Sequence, residues 1–163
     1  MDFNEHKVKK LLLTPEMAEF KIKQWCAYQE RSQNETRYKL FEYGLKSEEV
    51  EQIISRLIEE NFLNEERFAI ALTGGKFRIK HWGKIKIKIE LRKHKISDHC
   101  INKALNAIGD NDYLNTITLV LEKKIRQTKI SDKQKLFYTV LNYAVSRGFE
   151  RDLVTEQINK LLK

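Results

Sequence analysis

Proline is nearly missing from this chain. Pro15 is the single one in 163 residues, and only six glycines accompany it. Sandwiches and barrels need many tight turns, so the shortage argues for long helices. Long apolar runs are missing too. Leu11 to Leu13 is the one uninterrupted apolar stretch near the N-terminus, too short for the apolar region of a signal peptide. Nothing approaches the ~20 apolar residues of a membrane-spanning helix. The expectation is a cytoplasmic protein with no membrane association. Cysteine is scarce, and Cys26 and Cys100 have no motif spacing. They are expected to be reduced helix-face residues.

Catalytic signatures are equally sparse. Gly74-Gly75-Lys76 is followed by Phe77, so the hydroxyl that a phosphate-binding loop offers to magnesium is missing, as is its first glycine. His94, His99 and Cys100 lack zinc-ligand spacing. No nucleophile and base pair is suggested locally. The expectation is no enzyme activity, no cofactor and no metal.

What the chain does have is charge. Charged residues make up 33%, with a formal net charge of +8. Nine basic residues and one acid, Glu90, lie between Lys76 and Lys95, which accounts for the whole excess. The remaining 22 basic and 22 acidic residues cancel. The basicity is therefore local, and a concentrated basic patch attracts polyanions because neutralising a phosphate backbone releases counterions.

Periodicity predicts helices throughout. Thr14-Pro15-Glu16 opens the first, with threonine as a cap and proline in the first turn. It is expected to reach about Gln33 with Met17, Phe20, Trp25 and Tyr28 on an apolar face. A second runs from Glu35 to about Tyr43, with Tyr38, Leu40 and Phe41 inward, and Gly44 ends it. Ser47 to Asn61 carries Val50, Ile53, Ile54, Leu57 and Ile58. Asn64 caps a helix with Phe68, Ala71, Leu72, Gly75 and Ile79 on one face and a potential bend at Gly74-Gly75. Ser97-Asp98 opens a helix with Ile101, Ala104, Leu105 and Ile108. A later helix starts at Tyr113 with Leu114, Ile117, Leu121 and Ile125. Ser131-Asp132 starts another, bearing Leu136, Phe137, Val140, Leu141, Ala144 and Val145, and Gly148 stops it. Leu153, Val154, Ile158, Leu161 and Leu162 mark the last.

An internal repeat emerges. With Gly44, Lys95 and Gly148 at one equivalent position, the intervals are 51 and 53 residues. The next residue is Leu45, Ile96 or Phe149. Further on come Val50, Ile101 and Val154, then Ile54, Leu105 and Ile158, then Leu57, Ile108 and Leu161. Lys84 to Leu91 alternates like a half-buried strand, but no partner strand is evident and a lone strand is unstable. The repeat frame predicts a helix there, with Leu91 equivalent to Leu40 and with Trp82, Ile85 and Ile89 on one face. The fold class expected is all-α, in three tandem three-helix repeats. The divisions are a tail at 1–14 and repeats at 15–62, 63–109 and 110–163.

Three stretches resemble the RecX regulators of the bacterial RecA recombinase. Tyr28-Gln29-Glu30-Arg31-Ser32 with Glu35, Leu40 and Gly44 is similar to that family's early arginine-serine pattern. Phe62-Leu63-Asn64-Glu65-Glu66-Arg67-Phe68-Ala69 is similar to its aromatic-leucine-acidic turn leading into arginine-phenylalanine-alanine. Gly75 to Lys80, Trp82-Gly83, Ile87, Glu90-Leu91-Arg92 and Ile96-Ser97 resemble its basic middle repeat. The resemblance is good over 15–109 and rests on helix pattern alone beyond. Lys95 replaces the usual glycine, which leaves the turn before Ile96 in doubt, and Asn64 stands where aspartate is common. The resemblance implies an elongated, curved, right-handed-type helical array that binds the RecA filament on single-stranded DNA as a monomer. It also implies limitation of filament growth, or disassembly, and so lower ATPase, strand-exchange and co-protease activity.

The candidate contacts for recombinase or DNA are Lys76, Arg78, Lys80, Lys84, Lys86, Lys88, Arg92, Lys93 and Lys95. Lys76 and Lys80 share a helix face, as do Lys84 and Lys88. A solvated face is the alternative, and the local imbalance weighs against it. Phe77 and Trp82 could stack on bases, but core packing is favoured. Arg31, Glu35, Leu40, Phe62, Leu63, Arg67, Phe68 and Leu91 occupy family-motif positions and are expected to be structural. A sequence-independent nucleic-acid-binding module without a recombinase partner is the second functional class.

Overall fold

The structure is a computed structural model that describes residues 12–163. Of the tail expected at 1–14, residues 1–11 lie outside the described residues. Among the described residues there are nine α-helices and no strand. They are α1 (Pro15–Tyr28), α2 (Gln33–Glu42), α3 (Ser47–Glu59), α4 (Glu65–Arg78), α5 (Lys84–Lys93), α6 (Asp98–Asn106), α7 (Asp110–Gln127), α8 (Lys133–Ser146) and α9 (Arg151–Leu161). The all-helical fold and its repeated three-helix sets agree with the expectation from periodicity. The alternating segment from Lys84 is helical.

Capping chemistry explains most of the starts. Thr14 Oγ1 accepts from the Met17 N–H at 3.3 Å. Ser32 and Glu35 form a reciprocal capping box, at 3.0 Å and 2.9 Å. Asn64 Oδ1 accepts from the Arg67 N–H at 2.8 Å, and Asp132 Oδ1 from the Lys135 N–H at 2.9 Å. Each satisfies a donor that the helix itself cannot pair.

The repeat equivalence is written in the backbone. Gly44, Lys95 and Gly148 have φ of 87°, 57° and 95°, the left-handed conformation that closes a helix. The residue that follows each, Leu45, Ile96 or Phe149, is buried. Lys95 therefore makes the turn that glycine makes in the other two repeats, despite the cost of a side chain there.

Several expected faces are rotated. α1 stops at Tyr28, short of Gln33, because Gln29 is extended. Its buried stripe is Ala18, Ile22 and Cys26, at i, i+4 and i+8, while Met17, Phe20 and Tyr28 are exposed. α2 begins at Gln33, earlier than Glu35, because Ser32 caps it, and Leu40 is buried while Tyr38 and Phe41 are exposed. Ile58 is likewise exposed. α4 runs unbroken through Gly74-Gly75 and buries Phe68, Ala69, Thr73 and Phe77, whereas Ile79 lies beyond its end, exposed. α7 starts at Asp110, with Gly109 as its N-cap residue and Asp110 and Asp112 in its first turn, where acids suit the helix dipole.

Contacts divide the chain into two compact units, one ending at Phe68 and one spanning Ala69–Lys163. The first buries Ile22, Leu40, Ile53 and Leu57 at its centre, and the Leu13 N–H donates to the Tyr43 carbonyl at 3.0 Å. In the second, Phe77, Tyr113 and Phe149 form a chain of rings with centroids 5.9 Å and 5.6 Å apart. Phe77 is therefore core.

Candidate nucleic-acid interface

The basic helix α5 has no side-chain cap at Gly83. Its first donors are instead paired with residues from the α7–α9 set. The Gly83 N–H donates to the Arg147 carbonyl at 2.8 Å and the Ile85 N–H to the Gly148 carbonyl at 3.1 Å. Between them, the Lys84 N–H donates to Tyr113 Oη at 3.0 Å, and that hydroxyl donates in turn to a Glu150 carboxylate oxygen. Burial, then the Glu150 carboxylate, push the Tyr113 phenol far above its ordinary range. Two glycines allow this closeness: a Cβ at Gly83 would lie 2.2 Å from the Gly148 carbonyl.

On this anchored frame the lysines surround aromatic rings. Lys76 Nζ and Lys86 Nζ stand 4.6 Å and 4.4 Å from the centre of the Trp82 ring, and Lys84 Nζ stands 4.8 Å from that of Tyr113. Such contacts hold an ammonium in place without neutralising it. Trp82, Ile85, Ile89, Lys86, Lys93 and Val145 line a cleft of about 300 Å³ that also includes Glu90. Trp82, Ile85 and Ile89 thus share a face, as the helical reading requires. Trp82 and Lys88 are part-exposed, and Arg78, Lys80, Arg92, Lys93 and Lys95 are exposed. Lys80 lies past the end of α4, so it does not continue a helix face with Lys76.

The first unit and the basic segment treat their cations differently. In the first unit Arg37 pairs with Glu51 at 2.6 Å, Arg56 with Glu19 at 2.9 Å and Lys23 with Glu60 at 2.8 Å. The Arg56 guanidinium holds the Glu19 carboxyl below the usual carboxylate range. In the basic segment Arg92 is 3.8 Å from Asp98 and Lys93 is 3.7 Å from Glu90. Lys76, Arg78, Lys80, Lys84, Lys86, Lys88 and Lys95 have no carboxylate at ion-pair distance among the described residues. Their charge is left to act on an external anion.

The family-motif positions are placed inside the fold. The Arg31 guanidinium lies 4.0 Å from the Trp25 ring centre, and its Nε donates to the Trp25 carbonyl at 3.4 Å. Arg67 Nε donates to Glu30, and its other nitrogens donate to the Asn61 side chain and carbonyl at 3.2 Å and 3.0 Å. Leu40, Leu63, Phe68 and Leu91 are buried, and Phe62 packs against the core. Glu35 completes the capping box at Ser32.

Local sequence missed a second cluster. His81, Lys123, Lys124 and Arg147 line one cleft, although they come from three separate elements. The one sequence trace is the spacing of Leu119, Val120, Lys123, Lys124 and Gln127, which puts them on one face of α7. Both cysteines are free and buried, and burial pushes the Cys26 thiol up. Among the described residues, no three or more His, Cys, Asp or Glu are grouped to hold a metal ion, and no helix is long and apolar enough to cross a membrane.

Comparison with known proteins fits this architecture. The family described as "RecX, second three-helix domain" matches residues 64–105, the basic middle set. The Regulatory protein RecX of Clostridium perfringens (strain 13 / Type A) is 30% identical over 133 residues, covering 80% of this chain and 62% of that protein. The chain thus spans about three fifths of the length of that relative. Regulatory protein RecX of Chlorobaculum tepidum is 27% identical over 128 residues, 78% of each chain. The crystal structure of RecX from Lactobacillus salivarius superposes with a TM-score of 0.81 at 20% identity, over 90% of this chain and 96% of that one. A second crystal structure, of regulatory protein RecX, gives 0.82 at 19% identity, over 90% of this chain and 71% of that one. The repeat, the basic middle set and these likenesses converge on the RecX family, which this chain resembles over about four fifths of its length.

Proposed function

We propose that this chain is a non-catalytic regulator that binds the RecA recombinase filament on single-stranded DNA. It limits filament growth or favours disassembly, and so lowers ATP hydrolysis, strand exchange and co-protease activity, with a role in DNA repair and the SOS response. The observation that carries the reading is the unpaired positive charge of the α4–α5 segment in the very repeat that matches the family. Lys76, Arg78, Lys80, Lys84, Lys86, Lys88 and Lys95, with Arg92 and Lys93 beside them, are the contacts proposed for DNA phosphates and for acidic residues of the filament. Arg31, Glu35 and Arg67 act inside the fold rather than on the partner. The chain is proposed to act as a monomer in the cytoplasm.

An ATPase assay with recombinase and single-stranded DNA tests the reading. Inhibition is expected at substoichiometric or equal amounts of the protein. A protein that binds DNA yet leaves the recombinase untouched across the titration would instead be a nucleic-acid-binding helical module.

A further inference from the structure

The last turn of α8 separates two clefts. Val145, Ser146 and Gly148 face the one that holds Trp82, whereas Tyr143 and Arg147 face another of about 100 Å³. The consecutive residues His81 and Trp82 therefore serve different sites. The smaller cleft takes His81 from the α4–α5 turn, Lys123 and Lys124 from α7, and Arg147 from the C-cap of α8. Among the described residues, no carboxylate lines it.

Its cationic groups are held in position. The Arg147 guanidinium donates to the Lys80 carbonyl, which fixes it against the α4–α5 turn. Lys124 Nζ sits 4.6 Å from the centre of the Tyr143 ring. Two nitrogens there, His81 Nδ1 and Arg147 Nε, are buried without a hydrogen-bond partner among the described residues. Buried polar groups are nearly always paired, so the unpaired Arg147 Nε–H in a cationic cleft marks a missing acceptor, and His81 Nδ1 joins it as a donor when it carries the ring proton. His81 also has φ of 53°, a conformation that costs energy away from glycine. The volume matches about three waters at ~30 Å³ each. That suits a single tetrahedral oxyanion.

We infer that this cleft binds one phosphodiester group of single-stranded nucleic acid, through Lys123, Lys124, Arg147 and His81. It lies outside the basic segment that the sequence singles out, and it gives the α7–α9 set a direct share in the interface. The choice of nucleic acid over free phosphate rests on the function proposed above. The chemistry common to both is a tetrahedral oxyanion that accepts charge-assisted hydrogen bonds from lysine and arginine.

The test uses the full chain and a fluorescein-labelled single-stranded oligodeoxynucleotide, with anisotropy followed over a salt series. Lys123→Gln/Lys124→Gln is expected to bind several-fold more weakly and to lose about 0.7 units of salt slope, the share of one single-strand phosphate contact. Lys123→Arg/Lys124→Arg should keep the wild-type slope. In the unsubstituted protein, the His81 imidazole NMR signals should move in step with oligonucleotide binding. An unchanged slope in the glutamine variant with wild-type circular dichroism overturns the assignment. So do His81 signals that stay still at saturating oligonucleotide, or that move with inorganic phosphate alone. The recombinase ATPase assay is run in parallel. Inhibition by wild type with no slope change in the glutamine variant removes the cleft and keeps the proposed function. A slope change without inhibition by wild type does the reverse.

Discussion

Gly83 and Gly148 meet backbone to backbone: a methyl at position 83 would stand 2.2 Å from the Gly148 carbonyl oxygen and 2.3 Å from the Phe149 nitrogen. Those atoms are main chain and cannot swing aside. Gly83→Ala must push α5 away from the α8–α9 turn and weaken the bonds that Gly83 and Ile85 donate there. The expected loss is about 2 to 4 kcal/mol, from overpacking and two weakened hydrogen bonds. Urea denaturation monitored by circular dichroism checks it.

Lys95 offers the opposite change. Its φ of 57° is occupied by glycine at both equivalent turns. Lys95→Gly removes the side-chain clash and adds freedom to the unfolded chain, for a net stabilisation of about 0.5 to 1 kcal/mol. A higher denaturation midpoint at unchanged slope is the expected result. A lower midpoint would mean that the lysine stem contributes packing worth more than the strain.

Tyr113 links stability to alkaline pH. The buried phenol is held protonated well above its ordinary range, whereas in the unfolded chain it ionises near ~10. A folded-state pKa raised above the unfolded one gives stability that is complete below about pH 10 and declines as pH rises above it. Tyr113→Phe should cost about 1 to 3 kcal/mol at neutral pH, because the Lys84 N–H and the Glu150 carboxylate lose their shared partner. The gap between wild type and variant should narrow above about pH 10. Denaturation at several pH values measures both.

Reversing charge on α5 separates binding from folding. Lys84, Lys86 and Lys88 fall in its first half, where glutamate suits the helix dipole. The triple substitution to glutamate is expected to preserve helicity and to lower the salt slope of DNA binding by about 2 to 3 units. A normal slope with a normal spectrum would put the phosphate contacts elsewhere.

The repeat was legible because its period lies in residues that stay buried. Leu45, Ile96 and Phe149, and the valines and isoleucines after them, point inward in each set. Which face of a helix turns inward was less legible where small residues decide it. On α1 the inward stripe is Ala18, Ile22 and Cys26, and a reading weighted by side-chain size picks Met17, Phe20 and Tyr28 instead. Small residues let a helix approach its neighbours closely, and a hydrophobicity count undervalues them. On α4 the same weighting favours Ile79, which falls past the helix end, over Thr73, which is buried. The basic segment was visible as composition because its charges are contiguous. The His81 cleft was not, because its parts meet only after α7 and α8 have packed beside the α4–α5 turn.

The way α5 begins bears on how such a chain can be cut or recombined. A helix that starts on its own capping side chain travels with its own module. α5 starts on the carbonyls of Arg147 and Gly148 and the hydroxyl of Tyr113, all of them encoded downstream of its own three-helix set. The middle set is a repeat in sequence but not a self-sufficient part, and transplanting it alone would leave three backbone donors without acceptors. Duplication or exchange in this architecture therefore has to carry the α4–α6 and α7–α9 sets together.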